Sequence, residues 1–161
     1  MKTDDIEIRK ALPSEWEEAM ELAFKTFLKY EAPEYGKEGT DSFLNFISDE
    51  KLYKMFLNGE YVTLVAKKDE KIVGVASVRT KNHISLLFVD EAYHKQGIGR
   101  MLLHKLQSGV YELTRSFYMT VNASPYGIGF YERVGFTKTD GMCQADGISY
   151  QPMAIDTGIM L

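Results

Sequence analysis

The spacing of apolar positions changes repeatedly along this chain, and each change marks an element. Ile6 and Ile8 alternate with charged neighbours at residues 5–9, which predicts a first strand. Ser14 and Glu17 then have capping-box spacing. Trp16, Ala19, Ala23, Phe27 and Tyr30 recur at helical intervals, predicting a helix with one apolar stripe. It should fail near Pro33, because the residue before a proline avoids helical backbone. Residues 31–40 read as a loop, and 43–57 as a second helical region, divisible at Ser48-Asp49 and ended by Asn58-Gly59. Residues 61–66 and 72–78 are β-formers around a polar turn at Asp69-Glu70, a hairpin. The continuous apolar run 84–89 suggests a central strand covered on both faces. Leu102, Leu103, Leu106, Val110 and Leu113 mark another helix, and Phe117, Met119 and Val121 a strand broken at 122–125. A short helix at 127–134 stops at Gly135, and two strands, 136–144 and 148–155, flank Asp146-Gly147. This order, without repeats or linkers, predicts one mixed α/β (α+β) domain over residues 1–161. Its central sheet would be largely antiparallel, of about seven strands flanked by about four helices.

Composition narrows the class. The chain has 161 residues, 45% hydrophobic and 26% charged, ordinary values for a globular domain. No apolar run is long enough to span a bilayer, and the start Met1-Lys2-Thr3-Asp4-Asp5 lacks a charged-then-apolar leader. The expectation is a cytoplasmic protein with no membrane partner. Nineteen basic against 23 acidic residues leave a net charge of −4, so no nucleic acid is expected as the main partner. The single Cys143 excludes an internal disulfide and a cysteine-only metal site; no metal is expected. Ten tyrosines and nine phenylalanines exceed what a core alone calls for, leaving some to line a pocket.

The chemistry centres on His94-Lys95-Gln96-Gly97-Ile98-Gly99-Arg100, where an apolar strand gives way to a helix. The first helical N–H groups lack intrahelical partners and carry partial positive charge, and glycines admit a close phosphate. The loop reads as a pyrophosphate cradle. Gln96, Gly97, Ile98, Gly99, Arg100 and Met101 would wrap the anion, with Lys95 and Arg100 adding charge.

This loop and the segment Phe130-Tyr131-Glu132-Arg133-Val134-Gly135-Phe136, about thirty residues on, together resemble the GNAT superfamily of acetyl-CoA-dependent N-acetyltransferases. That family carries Gln/Arg-x-x-Gly-x-Gly/Ala after its fourth strand and Phe-Tyr-Glu-x-x-Gly-Phe on its last helix. The resemblance spans the chain and implies acetyl-CoA as acetyl donor and a small-molecule amine or peptide amine as acceptor. It implies that Leu87, Phe88 and Val89 present backbone to the pantetheine arm, with the Val89 N–H facing the thioester carbonyl. Tyr131 would be the general acid for the CoA thiolate; a phenol has a suitable ordinary pKa, near 10. The chain departs from the family at His94, where Gln or Arg is usual and an imidazole would meet a phosphate with less reach. Ser124 and Gly127 stand where many members have Asn and Ala, and Asn122 is placed to supply the amide.

The base is the open position. The strand at 84–89 offers no acidic residue. His83 at its head has a suitable intrinsic pKa, Glu31 and Glu34 are alternatives, and a water chain is a third. His104 reads as structural. The acceptor would bind near residues 30–35, where aromatics and glutamates suit a cationic amine with an apolar body. A homodimer through edge-strand pairing is the assembly the aromatic-rich C-terminal strands would allow. A non-catalytic CoA-binding sensor is the rival reading; acetyl-CoA binding with no acceptor-dependent thiol release would distinguish it. A nucleotide-binding protein is the third, disfavoured because Gly-Lys-Ser/Thr and Gly-x-Gly-x-x-Gly are both missing.

Overall fold

Strands β1 (Ile6–Lys10), β2 (Val62–Lys68), β3 (Lys71–Arg79) and β4 (His83–Val89) pair in succession, each antiparallel to the one before. In this computed structural model, residues 5–156 are described. Residues 1–4, on which the absence of a leader was read, and 157–161 lie outside them. After β4 come β5 (Met119–Ala123), β6 (Thr137–Lys138), β7 (Cys143–Ala145) and β8 (Ile148–Ile155). β5 joins β4 in parallel, β8 pairs antiparallel with β5, and both β6 and β7 pair with β8. The helices are α1 (Trp16–Tyr30), α2 (Ala32–Ile47), α3 (Glu50–Leu57), α4 (Ile98–Thr114) and α5 (Ile128–Arg133).

The mixed, largely antiparallel architecture is as expected, with eight strands and five helices among the described residues. The strand expected at 136–144 is split into β6 and β7. The expected loop at 31–40 is mostly helix. Pro33 does end α1, but it then sits in the first turn of α2, where its missing N–H would have had no partner. Gly36, at φ +69° and ψ −163°, leaves the helical backbone, so α2 is two helical pieces joined across a kink. Gly39 lets α2 approach the β7–β8 turn so closely that a Cβ there would lie 2.8 Å from the Gly147 carbonyl oxygen. The start of α1 also differs from the expected Ser14–Glu17 box. Glu15 reaches back instead, accepting from the Leu12 N–H at 2.8 Å, and α1 begins at Trp16.

Two cores cover the two faces of the sheet. Trp16, Phe27, Leu52 and Phe56 from α1 and α3 pack with Tyr61, Val65, Val75, Leu86 and Phe88. Ile98, Leu102, Leu103 and Leu106 from α4 pack with Leu64, Ala66, Ala76, Met119 and Met153. Covered on both sides, β3 has seven successive buried residues, which explains its apolar sequence.

β4 departs from the fully covered strand expected of it. Its residues alternate between half-buried and buried. The register against β3 slips between Ser77 and Val78, so Ser85 is an extra residue in β4. Its hydroxyl accepts from Tyr61 Oη at 2.8 Å. Such a bulge bends its strand. Pairing between β4 and β5 is confined to His83↔Thr120 and Ile84↔Val121, and ends where the bulge begins.

Candidate active site

Beyond Ile84 the two parallel strands part, and a cavity of about 610 Å³ opens between them. Its walls come from β4 (Leu87, Phe88, Val89), β5 (Asn122), the turn at Ser124 and α5. The Asp90 N–H bonds the Val73 carbonyl of β3 at 2.8 Å. Backbone groups of successive strand residues point to opposite edges. The N–H and C=O of Val89 therefore point away from β3, toward the parted edge, and so do those of Leu87. The Val89 carbonyl is taken by His94, whose Nε2 lies 2.7 Å away. A carbonyl only accepts, so Nε2 carries the proton. The Val89 N–H stays turned to the cavity.

The glycine loop closes one end. Lys95 and Gly97 both adopt positive φ, +63° and +83°. The first helical bond of α4 runs from the Met101 N–H to the Gly97 carbonyl at 3.0 Å, so the N–H groups of Ile98, Gly99 and Arg100 precede the ladder. No acidic residue stands in that first turn. The positive helix end is thus uncompensated by any side chain of its own turn, as an anion cradle requires. Gly99 packs so near Phe130 that a Cβ there would lie 3.4 Å from its ring. The two sequence signatures thus meet in space. Lys95, Gly97, Ile98, Gly99 and Arg100 line the cavity, joined by Arg133 of α5. The donor set fits a phosphate-bearing ligand.

Tyr131 of α5 lines the cavity with a ring held edge-on by Phe130 and Phe136, at centroid distances of 5.3 and 5.2 Å. Burial pushes its phenol pKa well above the usual value, and the nearby Glu31 carboxylate adds to the rise. The group is therefore a fully protonated donor across the physiological range. Glu31 lines the same cavity from the α1–α2 junction. Burial pushes its carboxyl up to about 7, with Glu34 contributing. Beside it Tyr30 stacks on Tyr126 at 4.8 Å and tilts against His94 at 5.2 Å.

Several of the remaining sequence-based candidates fall elsewhere. His83 lies outside the lining, at the closed end of the parallel pair. Its Nδ1 is 2.7 Å from Thr120 Oγ1, and burial with Arg79 nearby lowers its pKa. Gln96 and Met101 also lie outside the lining. The amide oxygen of Gln96 is enclosed with no hydrogen-bond partner among the described residues. Ser124 lines the cavity but also accepts the Gly127 N–H at 3.1 Å, capping the turn before α5. His94 braces the loop rather than reaching for a phosphate. Tyr126 was not singled out from sequence; an exposed aromatic in a Ser-Pro-Tyr-Gly turn was its available signal. Among the described residues no group of His, Cys, Asp or Glu is arranged to hold a metal ion. No described helix is long and apolar enough to cross a membrane.

Parted parallel strands with an anion cradle at one end and a buried phenol alongside define an acyl-transfer scaffold. The sequence model of the acetyltransferase (GNAT) domain matches residues 31–157, and the chain belongs to that family of acetyltransferases. Solved structures agree on the fold. A GCN5-related N-acetyltransferase from Rhodopseudomonas palustris superposes with a TM-score of 0.80 at 22% identity, covering 93% of this chain and 94% of that one. The PaiA N-acetyltransferase from Thermoplasma acidophilum, in complex with coenzyme A, gives 0.80 at 20% identity over 94% and 98%. A GNAT-family acetyltransferase from Staphylococcus aureus Mu50 gives 0.68 at 20% identity over 93% and 98%.

Proposed function

We propose that this acetyltransferase moves the acetyl group of acetyl-CoA to a primary amine by direct attack, with Tyr131 protonating the departing thiolate. The observation that carries the reading is the parting of β4 from β5 beside the α4 cradle, with Tyr131 on the wall of the opening. The coenzyme A complex of the Thermoplasma relative supports CoA as the donor's carrier. In this reading the N–H groups of Gly97, Ile98, Gly99 and Arg100 hold the pyrophosphate, and Lys95 and Arg100 add charge. The open edge of Leu87–Val89 pairs with the pantetheine arm, flanked by Phe88, Asn122 and Ser124. The Val89 N–H, free of β3, stabilises the developing oxyanion. Tyr131 gives its proton to sulfur as the C–S bond breaks. His83, bound to Thr120 at the closed end, is a poor candidate for base on this geometry.

The test is thiol release from acetyl-CoA across small amines, amino acids and peptide N-termini. Acceptor-dependent release, with acetylated amine as product, supports the reading. Tight acetyl-CoA binding with no acceptor raising release above background would turn it toward the sensor reading.

A further inference from the structure

The structure assigns Glu31 as the acceptor-side carboxylate: it binds the ammonium of an alkylamine acceptor and takes its proton. This rests on the transferase reading above and supplies the base and substrate class that reading leaves open.

Glu31 is held where α1 ends and α2 begins. Its N–H bonds the Phe27 carbonyl at 2.9 Å, and its own carbonyl accepts the Glu34 N–H at 3.0 Å. The side chain lines the cavity that also holds Tyr131 and Val89. Among the described residues it forms no ion pair; every basic side chain in a salt bridge pairs with another acid, as Lys29 does with Glu91. Glu31 is half-buried; a carboxylate drawn out of water without a cation is destabilised, and a bound ammonium relieves that cost. The groups that interact with it electrostatically are Glu34 and Tyr35 of α2, Tyr126 before α5, and Tyr131 of α5, none of them cationic. The Tyr30–Tyr126 stack adds aromatic faces suited to an alkylammonium. Lys95, Arg100 and Arg133 also line the cavity, and none of them forms an ion pair with Glu31.

The elevated carboxyl pKa, about 7, matches a base working near neutrality. Glu31 accepts one proton from the bound ammonium and exposes the nitrogen lone pair. Nitrogen forms the C–N bond and the C–S bond breaks. Tyr131 protonates the thiolate, and its phenolate regains a proton from the amide nitrogen's surplus. Glu31 returns its proton to solvent.

The test uses the full chain with n-butylamine as probe. Calorimetric titration of n-butylammonium onto the CoA-saturated protein at pH 8 should show at least tenfold weaker binding for Glu31→Gln than for wild type. Acetyl-CoA affinity should stay within twofold. In wild type, kcat/KM should fall as pH drops through about 7. In Glu31→Gln that limb should be replaced by a rise following the free amine, toward about pH 10. Glu34→Gln, at an exposed position, provides a second route if Glu31→Gln unfolds. Removing its charge should move the acid limb to lower pH. Unchanged n-butylammonium affinity with the limb retained in Glu31→Gln, or an unmoved limb in Glu34→Gln, would overturn the assignment. Absence of transfer to any amine would defeat the transferase reading instead, while the binding titration would still decide whether Glu31 holds an ammonium.

Discussion

The imidazole of His94 holds the carbonyl of Val89, Nε2 to O at 2.7 Å, across the turn that joins β4 to the glycine loop. That bond ties the open edge of β4 to the turn before α4, in addition to the Tyr93 and His94 N–H bonds to the Asp90 and Glu91 carbonyls. A typical bond of this kind contributes about 1 kcal/mol. His94→Ala should weaken acetyl-CoA binding by about five- to tenfold, that energy expressed as affinity. Thermal stability should change little, because the turn is half-exposed and keeps its backbone hydrogen bonds. Isothermal titration calorimetry checks it; affinity within twofold of wild type would mean the loop holds its shape unaided.

Tyr131→Phe keeps the ring between Phe130 and Phe136 and removes only the hydroxyl. If that hydroxyl donates in the transition state, kcat should fall by about tenfold or more while acetyl-CoA affinity stays within about twofold. Because burial pushes the phenol pKa up, wild type should show no alkaline loss of activity from this group below about pH 10. Stopped-flow or steady-state kinetics with a reactive amine would settle it, and an undiminished kcat would remove Tyr131 from the chemistry.

Away from the site, Glu15 anchors the first strand to the sheet. Its carboxylate accepts from Arg9 Nη1 and Nη2 at 2.8 and 2.9 Å, from Lys67 Nζ at 2.9 Å and from the Leu12 N–H at 2.8 Å. The Arg9 hydrogen bonds are the main reason its pKa lies well below the usual carboxylate range; burial opposes them. A depressed folded pKa means stability that is complete above the unfolded pKa, near 4.3, and lost as pH falls toward the folded value. Glu15→Gln should therefore cost about 2–3 kcal/mol at pH 7, and the gap should narrow as pH falls from about 5 to 3. Urea unfolding at several pH values measures it. A gap independent of pH would assign the loss to packing rather than charge.

The elements that sequence revealed are those whose cause is local. The glycine loop, the hairpin and the Phe130–Phe136 segment carry their geometry in residue type and spacing. Other features arise from contacts distant in sequence. Nothing in residues 84–89 announces that Ser85 is an extra residue, because the bulge exists only relative to β3. Glu31 looks like any surface glutamate until α5 and the turn before it are packed beside it. Pro33, Gly36 and Gly39 were read as loop residues, and individually each reading is sound. In the structure Pro33 opens a helix, Gly36 breaks it into two pieces across a kink, and Gly39 lets the second piece meet a turn more than a hundred residues away.

That last contact carries a prediction of its own. Gly147 has φ +77°, and a Cβ there would sit 2.8 Å from the Gly39 nitrogen and 2.9 Å from Glu38 Cβ. Gly36 also has positive φ, +69°, but a Cβ there meets nothing within 4 Å. The pair separates backbone strain from steric conflict. Gly36→Ala should cost about 1–3 kcal/mol, because φ +69° with ψ −163° is a backbone region that essentially only glycine occupies. Gly147→Ala should cost about 2–4 kcal/mol, since α2 must also move off the hairpin. Because α2 begins next to Glu31, that displacement should raise the KM for an amine acceptor by more than it weakens acetyl-CoA, whose proposed cradle lies on α4. Denaturant unfolding of both variants, with KM and acetyl-CoA affinity measured on the folded protein, tests the two steps separately. Equal destabilisation of the two variants would mean the hairpin adjusts freely, and parallel changes for both substrates would mean α2 does not set the acceptor end alone.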